Sequence, residues 1–197
     1  MAAKKSQPRT EIRLAGEGGQ GMILAGIILA EAAAMYDGKN VVQTQSYGPE
    51  ARGGASKSEV IIAEGEIDYP EVIGADVLMV MSQEACDKYS GTLKKGGLLV
   101  VDQDKVGRVP TTRAVKAPIV KLAVEATGRA ITANVVALGL LVGLTEVVSR
   151  EAVAKAVTAR APKGTEELNL AALAAGFAAA ERLSPKKPLT DESARTG

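Results

Sequence analysis

Glycines dominate one short segment near the amino terminus, between a strand-like run and a long apolar stretch. Ile12–Ala15 is followed by Gly16-Glu17-Gly18-Gly19-Gln20-Gly21, and Met22–Tyr36 has helical composition. Glycines 16, 18 and 21 match the G-x-G-x-x-G spacing, in which a bare backbone approaches a phosphate and a helix amino terminus supplies N–H groups. Such turns also occur where a helix merely packs closely on its strand, so both interpretations stay open.

A dinucleotide site needs a further residue that this chain lacks at the expected place. An Asp or Glu roughly 20 positions after the motif normally binds the ribose hydroxyls. The second strand, Val41–Gln45, ends instead in Ser46, and the nearest acid, Asp37, precedes that strand. The turn is therefore suited to a phosphate, but the ribose of NAD has no obvious partner. A free-standing NAD(P) dehydrogenase remains the alternative.

The second informative segment, Ser46–Ser58, follows this strand at its carboxyl end, where open α/β sheets bind their ligands. Turn-forming residues alternate there with hydrogen-bonding side chains, among them Tyr47, Glu50 and Arg52. Arg52 is the best candidate for a phosphate or carboxylate, because its guanidinium makes bidentate contacts, and Glu50 is suited to orient it. The alternative is a solvated Glu–Arg pair worth under about 1 kcal/mol.

Strand-like and helical stretches alternate along the chain, which predicts an α/β fold: a Rossmann-like three-layer domain with a mostly parallel sheet. An alternating run, Lys57–Ile62, followed by Glu64–Ile67 predicts an inserted β-hairpin. We expect a flexible segment at 1–10, a single domain at 11–183 and a disordered polar tail at 184–197. The predicted strands are Ile12–Ala15, Val41–Gln45, Val77–Met81, Leu98–Asp102 and Ala114–Lys116; the predicted helices are Met22–Tyr36, Gln83–Tyr89, Ile119–Thr127, Ala133–Val148, Glu151–Ala159 and Glu166–Leu183.

Composition excludes several classes of site. A net charge of +1 and an aromatic content of 3% disfavour a nucleic-acid surface. One cysteine, Cys86, cannot hold an iron–sulfur cluster or form an internal disulfide, and is most simply a packing residue. The absence of histidine disfavours a zinc site or a hydrolase triad. Because no apolar signal core opens the chain, we expect a cytoplasmic protein.

Two predicted helices are too apolar for an ordinary protein surface. Met22–Ala30 has no polar residue, and Ala133–Leu144 has only Asn134. Both runs are shorter than the roughly 20 apolar residues of a membrane span. Gly139 and Gly143, one turn apart, would let another backbone approach closely. The helices are therefore expected to contact a partner as well as the core, and a homodimer in isolation is compatible with this; the alternative is that other helices of the chain cover them.

From Glu11 to Glu181 the sequence resembles the gamma subunit of the 2-oxoacid:ferredoxin oxidoreductases. These enzymes depend on thiamine diphosphate and convert a 2-oxoacid, coenzyme A and ferredoxin into acyl-CoA, carbon dioxide and reduced ferredoxin. The wording of Ser46–Gly54 looks closer to the 2-oxoglutarate branch than to the pyruvate branch. The segments that carry the resemblance are Gly16–Gly21, Ser46–Gly54, Ala75–Leu78, Gly96–Asp102 and Ala133–Gly139.

The resemblance implies a subunit without activity of its own that forms a Rossmann-like wall of the active-site cleft and helps to seat coenzyme A. Thiamine diphosphate and Mg²⁺ would be held by the alpha and beta subunits, and [4Fe-4S] clusters by beta or a ferredoxin-like delta subunit, with ferredoxin as an indirect partner. It also implies that Gly16, Gly18, Gly19 and Gly21 face a phosphate, with Gln20, Tyr47 and Asn134 as side-chain donors. Asp102 ends a strand at the same crevice, but capping of the next turn is favoured for it. A purely structural assembly subunit is a further alternative.

Overall fold

The computed structural model of the chain describes residues 9–47, 54–111 and 114–183. Within these ranges, six strands form one mixed sheet in the order β2-β3-β1-β4-β5-β6. Strands β1, β4, β5 and β6 pair in parallel, whereas β3 is antiparallel to both β1 and β2. The strands are β1 Arg9–Glu17, β2 Asn40–Ser46, β3 Ala55–Ala63, β4 Ala75–Val80, β5 Leu93–Asp102 and β6 Val115–Ala117.

Helices cover both faces of this sheet, which confirms the predicted three-layer α/β fold. One core lies between the sheet and α1, α3, α4, α5 and α6, and a second core lies under α2. None of the described helices combines the length and hydrophobicity that a bilayer crossing requires. The helices are α1 Met22–Glu31, which continues as a π-helical turn Ala32–Tyr36, α2 Gln83–Tyr89, α3 Ile119–Thr127, α4 Ala133–Thr145, α5 Arg150–Arg160 and α6 Glu166–Leu183.

The β-hairpin occupies a different place from the one predicted. Glu64–Ile67 is not a strand; the hairpin consists of β2 and β3, joined by the segment 47–54. The reason is that β3 has a partner on each side: Ala63 pairs with both Arg9 and Asn40, at the ends of the two ladders. Neither ladder continues beyond Ala63 within the described residues. The alternation in the sequence reflected the two faces of one central strand.

Helix α4 is covered by its own chain, so the expected partner contact is wrong for this helix. Ten consecutive residues, Ala133–Val142, are buried. A Cβ atom at Gly139 would lie 2.3 Å from the carbonyl oxygen of Leu173 in α6, which makes α6 the closely approaching backbone. Helix α1 is less enclosed, because Leu24 is 41% exposed.

Of the predicted flexible ends, residues 9 and 10 belong to β1 and the remainder lies outside the described residues.

Candidate ligand-binding site

The glycine turn lies at the point where the sheet reverses its winding. The connection from β1 runs through α1 on one face, and the connection from β4 runs through α2 on the other. Open α/β sheets bind ligands outside the carboxyl ends of the strands at such a switch point. The two strand ends are tied together here, since the N–H of Met81 donates to the carbonyl of Ala15 at 3.0 Å.

Two of the four glycines in the turn are explained by the fold itself. A Cβ at Gly16 would lie 2.4 Å from Oε1 of Gln20 and 3.2 Å from Met81 Cβ. Gly21 has a φ of 73°, in the left-handed region, and a Cβ there would lie 2.6 Å from Nδ2 of Asn134. Packing at Gly16, and packing together with backbone conformation at Gly21, therefore disfavour other side chains, as the packing interpretation of the motif requires.

The other two glycines face open space. A Cβ at Gly18 or Gly19 would meet no atom within 4 Å. Gly19 still requires glycine for its φ of 90°, but Gly18 has no positive φ. Among the described residues, no hydrogen bond uses the N–H groups of Gly18, Gly19 or Gly21, and no side chain caps α1. The turn thus presents bare, unpaired donors at an exposed helix amino terminus.

Gln20 holds the turn in place. Its Oε1 accepts a hydrogen bond from the N–H of Glu17 at 2.8 Å, and its Nε2 donates to the carbonyl of Met81 at 3.1 Å. The side chain therefore bridges the ends of β1 and β4 across the crevice. This contact gives Gln20 a positioning role, and the role of ligand donor that the resemblance implies stays a prediction.

Asn134 lies against the turn from the first turn of α4. It is 6% exposed. Its Nδ2 donates to the carbonyl of Gly21 at 3.4 Å, and its Oδ1 accepts from the N–H of Val135 at 3.0 Å. The structure thus brings Asn134 and the glycine turn together although they are far apart in sequence. Asn134 orients the residue at which α1 begins.

The polar segment after β2 begins and ends at the same edge of the sheet as the glycine turn. Glu17 pairs with Ala55 in the β1–β3 ladder, and Ser56 Oγ donates to the carbonyl of Gly16 at 3.2 Å. Tyr47, at the start of the segment, is 69% exposed. Glu50 and Arg52 lie outside the described residues. The β-hairpin therefore carries the second polar segment to the same edge of the sheet as the glycine turn.

A buried ion pair beneath this edge was missed by the sequence reasoning. Arg13 Nε donates to Glu59 Oε1 at 2.7 Å, and the Arg13 guanidinium also donates to the carbonyl of Val72 at 2.9 Å. Arg13 Cζ lies 5.6 Å from the ring centre of Tyr89, whose hydroxyl donates to Ala55 O at 3.4 Å. Both charged side chains are at most 10% exposed. The available signal was a charged residue directly next to the apolar run of each strand.

Asp102 and Cys86 have structural roles. Asp102 is fully buried; its Oδ1 accepts from the N–H groups of Asp104 and Lys105, and its Oδ2 accepts from Val120 at 2.8 Å. The capping interpretation is confirmed. Cys86 is 1% exposed, and burial, followed by the charge of Asp87, raises the pKa of its thiol. It is a packing residue.

Two cavities flank the glycine turn. The first, of about 280 Å³, adjoins Gly21 and lies between α1, α4 and the α5–α6 connection. The second, of about 270 Å³, adjoins Gly19 and Gln20 on the side of α3. Ile131, which is 70% exposed, lines both. In the described part of the chain, no group of three His, Cys, Asp or Glu side chains is arranged to hold a metal ion.

Comparisons with known proteins agree with this architecture. Residues 11–179 match the family model described as pyruvate ferredoxin/flavodoxin oxidoreductase. The 2-oxoglutarate synthase subunit KorC of Methanocaldococcus jannaschii is 50% identical over 187 residues, which cover 93% of this chain and 100% of the relative. The gamma subunit of a keto/oxoacid ferredoxin oxidoreductase from Geobacter sulfurreducens is 52% identical, with a TM-score of 0.82 over 90% of this chain and 99% of that one.

A longer protein shares the fold. The 2-oxoglutarate:ferredoxin oxidoreductase of Magnetococcus marinus, solved with 2-oxoglutarate, coenzyme A and succinyl-CoA bound, matches with a TM-score of 0.80 and 24% identity. The match covers 93% of this chain and 33% of that one. With the two similarities above, the family model identifies the chain: it belongs to the pyruvate ferredoxin/flavodoxin oxidoreductase family and is a gamma subunit of a 2-oxoacid:ferredoxin oxidoreductase, with relatives at about 50% identity named for 2-oxoglutarate.

Proposed function

We propose that this subunit forms one wall of the active-site cleft of a 2-oxoglutarate:ferredoxin oxidoreductase and binds the diphosphate of coenzyme A at Gly18–Gly21. The openness of Gly18 carries this proposal. Neither packing nor a positive φ requires glycine there, so a packing role does not account for the residue. A phosphate that approaches the backbone does account for it, because a side chain would obstruct the unpaired N–H groups.

Two further observations support coenzyme A as the ligand. The Magnetococcus protein that shares this fold carries coenzyme A among its bound molecules. The hairpin segment with Tyr47, Glu50 and Arg52 starts and ends at the same edge, since β2 ends and β3 begins there. In the proposal, Arg52 binds an anionic group of coenzyme A or of the 2-oxoacid, because guanidinium groups bind such anions through two parallel hydrogen bonds.

The residues of this chain do not fit thiamine diphosphate or iron–sulfur clusters, the cofactors of the reaction. The sequence contains no Gly-Asp-Gly thiamine-diphosphate motif and only one cysteine, whereas a cluster normally needs four thiolates. We therefore assign thiamine diphosphate, Mg²⁺ and the [4Fe-4S] clusters to alpha, beta or delta partner subunits in the cytoplasm. The purified chain should be colourless and inactive without them, and self-association should involve the exposed side of α1 around Leu24.

The NAD(P) alternative is disfavoured by the inserted strand as well as by the missing acid. In a dinucleotide fold, the strand that bears the ribose-binding acid lies next to the strand that precedes the glycine turn. Here β3 separates β2 from β1. With a strand spacing of about 4.8 Å, the end of β2 lies roughly 10 Å from β1, twice the usual separation.

The test uses one substitution that should leave the fold intact and weaken the binding of the ligand. Gly18→Val should raise the dissociation constant of coenzyme A for the full chain, and its KM in the reconstituted complex, by more than tenfold. Gly91→Val is the matched control, because Gly91 also faces open space without a positive φ but precedes β5 at the opposite edge. If coenzyme A binds both variants equally, the glycine turn is not its site. If NADH binds instead, the dehydrogenase alternative is correct, and if neither ligand binds, the subunit is structural.

A further inference from the structure

Helix α2 holds the first residue of β3 by both of its backbone groups. Glu84 Oε1 accepts a hydrogen bond from the N–H of Ala55 at 3.1 Å, and the hydroxyl of Tyr89 donates to the carbonyl of Ala55 at 3.4 Å. Ala55 is 1% exposed, and the hairpin segment, residues 47–54, ends directly before it. Two side chains of α2 therefore fix the point at which this segment rejoins the sheet.

The neighbouring strand β2 stops short of this point. The β2–β3 ladder ends at the pair of Ser46 and Lys57, whereas the β1–β3 ladder extends to the pair of Glu17 and Ala55. Buried backbone N–H and carbonyl groups need hydrogen-bond partners. At Ala55 the partners are side chains of a helix, so the end of the hairpin segment is held independently of β2.

The buried ion pair of Arg13 and Glu59 fixes Tyr89 in turn. Arg13 Cζ lies 5.6 Å from the ring centre of Tyr89. The Arg13 guanidinium also donates to the hydroxyl of Thr92, which itself donates to the carbonyl of Tyr89 at 2.6 Å. A buried ion pair contributes little net stability, because desolvation offsets the attraction. Orientation of Tyr89 therefore accounts for the pair better than stability does.

Glu84 projects from an anchored part of α2. It lies in the first turn, where the N-cap residue Ser82 accepts from the N–H of Ala85 at 3.2 Å. The adjacent Gln83 donates to the carbonyl of Arg108 at 3.1 Å and accepts from its N–H at 2.9 Å. Both side chains that hold Ala55 thus start from fixed positions on the helix.

We propose that Glu84 and Tyr89 are positioning residues for Arg52: by holding Ala55, they set where the hairpin segment rejoins the sheet and so where Arg52 meets its anion. This inference rests on the proposed function, in which Arg52 binds an anionic group of coenzyme A or of the 2-oxoacid. Neither positioning residue contacts that ligand. Because a bidentate guanidinium contact depends on orientation, a displaced Arg52 loses affinity although its charge remains.

The first experiment measures whether the two residues act through Arg52. Tyr89→Phe keeps the ring and removes only the hydroxyl, and Glu84→Ala removes the acceptor. In the reconstituted complex, each should raise about fivefold the same KM that Arg52→Ala raises, with kcat within about twofold of the parent. In an Arg52→Ala background, neither should have a further effect, because residues that act through one another are not additive. Glu84→Gln, which keeps a neutral acceptor, should restore most of the affinity.

Two substitutions serve as matched controls. Tyr69→Phe removes a hydroxyl that donates to Glu71 at 2.9 Å in the connection between β3 and β4, at the opposite edge of the sheet. Gln83→Ala changes the neighbour of Glu84 on the same helix. Both should leave the two KM values within about twofold of the parent. If the losses of Tyr89→Phe and Glu84→Ala add to that of Arg52→Ala, or do not exceed those of the controls, the positioning role is wrong.

The second experiment does not depend on catalysis. In the isolated full chain, Tyr89→Phe and Glu84→Ala should speed tryptic cleavage after Arg52 at least about threefold, because cleavage follows the population of the released segment. Tyr69→Phe should leave the rate unchanged, and equal rates in all variants would overturn the proposal. If Arg52→Ala raises a KM and the α2 variants do not, the proposed function stands and the positioning role is wrong. If Arg52→Ala raises neither KM, the role of Arg52 in the proposed function fails, and the cleavage rates still decide whether α2 holds the segment.

Discussion

Glycines occur at two places in this molecule for opposite reasons. In the contact between α4 and α6, a Cβ at Gly176 would lie 2.2 Å from the carbonyl oxygen of Val136, and one at Gly139 would lie 2.3 Å from that of Leu173. At the glycine turn, a Cβ at Gly18 would meet nothing within 4 Å. The helices need glycine because the space is full, and the turn has glycine where the space is empty.

This contrast separates glycines that maintain the fold from glycines for which we propose a ligand. Buried packing leaves a signature in the structure, namely a neighbouring atom at collision distance, whereas a ligand site leaves a gap. Gly16 and Gly21 share the turn with Gly18 but have the signature of packing. The G-x-G-x-x-G pattern therefore contains both packed and open glycines, and substitutions should resolve them into a graded series of effects.

The largest effect is expected at the helix contact. Gly176→Val should destabilise the domain by more than about 3 kcal/mol, or prevent folding, because the added atoms collide with backbone, which adjusts less readily than side chains. Ala174→Val, an exposed position of the same helix, controls for the lower helix propensity of valine. Chemical denaturation measures both. A loss below 1 kcal/mol for Gly176→Val would show that α6 is not so close to α4.

The buried ion pair should give the next largest effect. Glu59→Ala leaves Arg13 without its carboxylate, and removal of one partner of a buried pair costs about 3–5 kcal/mol. The double variant Arg13→Met/Glu59→Leu should recover most of this loss, because the buried unpaired charge is gone and only the partly exposed Lys57 loses its partner. If the double variant is as unstable as Glu59→Ala, packing and not charge determines the effect.

Arg52 extends the contrast to the hairpin segment beside the turn. Arg52→Ala should raise the KM for coenzyme A or for the 2-oxoacid more than tenfold, since a charged contact of this kind contributes about 2–3 kcal/mol. Arg52→Lys should rescue only part, because an ammonium lacks the bidentate geometry. Thermal stability and assembly should be unchanged. Kinetic constants within about twofold of the parent, under half a kcal/mol, would make this segment scaffolding.

Gly21 should give an intermediate effect on stability. Gly21→Ala combines the left-handed conformation, which costs about 1–2 kcal/mol for other residues, with a contact against Asn134. Gly128→Ala isolates the first contribution, because Gly128 has a φ of 70° and open surroundings. Gly21→Ala should therefore be the more destabilising of the two in the same denaturation assay. Equal losses would mean that Asn134 simply moves aside.

The smallest effect on stability is expected where the effect on binding is large. Gly18→Val should change the free energy of unfolding by less than about 0.5 kcal/mol, as is usual for surface positions without special contacts. A loss comparable with that of Gly21→Ala would place Gly18 among the packing glycines. The ligand argument would then lose its main support.

The local pattern of the sequence predicted the elements well. Three helices, Gln83–Tyr89, Ile119–Thr127 and Glu166–Leu183, have the predicted bounds, because apolar periodicity and turn residues act over a few positions. The β-hairpin was misplaced because strand pairing is non-local. The end of β3 at Ala63 depends on pairing with Arg9 and Asn40, which are more than 20 residues away in sequence. The buried Arg13–Glu59 pair was missed for the same reason.

The sequence by itself determined the family, the alternation of strands and helices, and the candidate residues around the glycine turn, because these depend on residue type and short spacing. Only the tertiary structure decided which glycines are packed and which are open, that α4 is covered by α6, and that Glu84 and Tyr89 meet at Ala55. These properties depend on distances between residues far apart in the chain. The residue type limits the chemistry that a position can provide, and the surrounding tertiary structure determines whether space is left for a ligand.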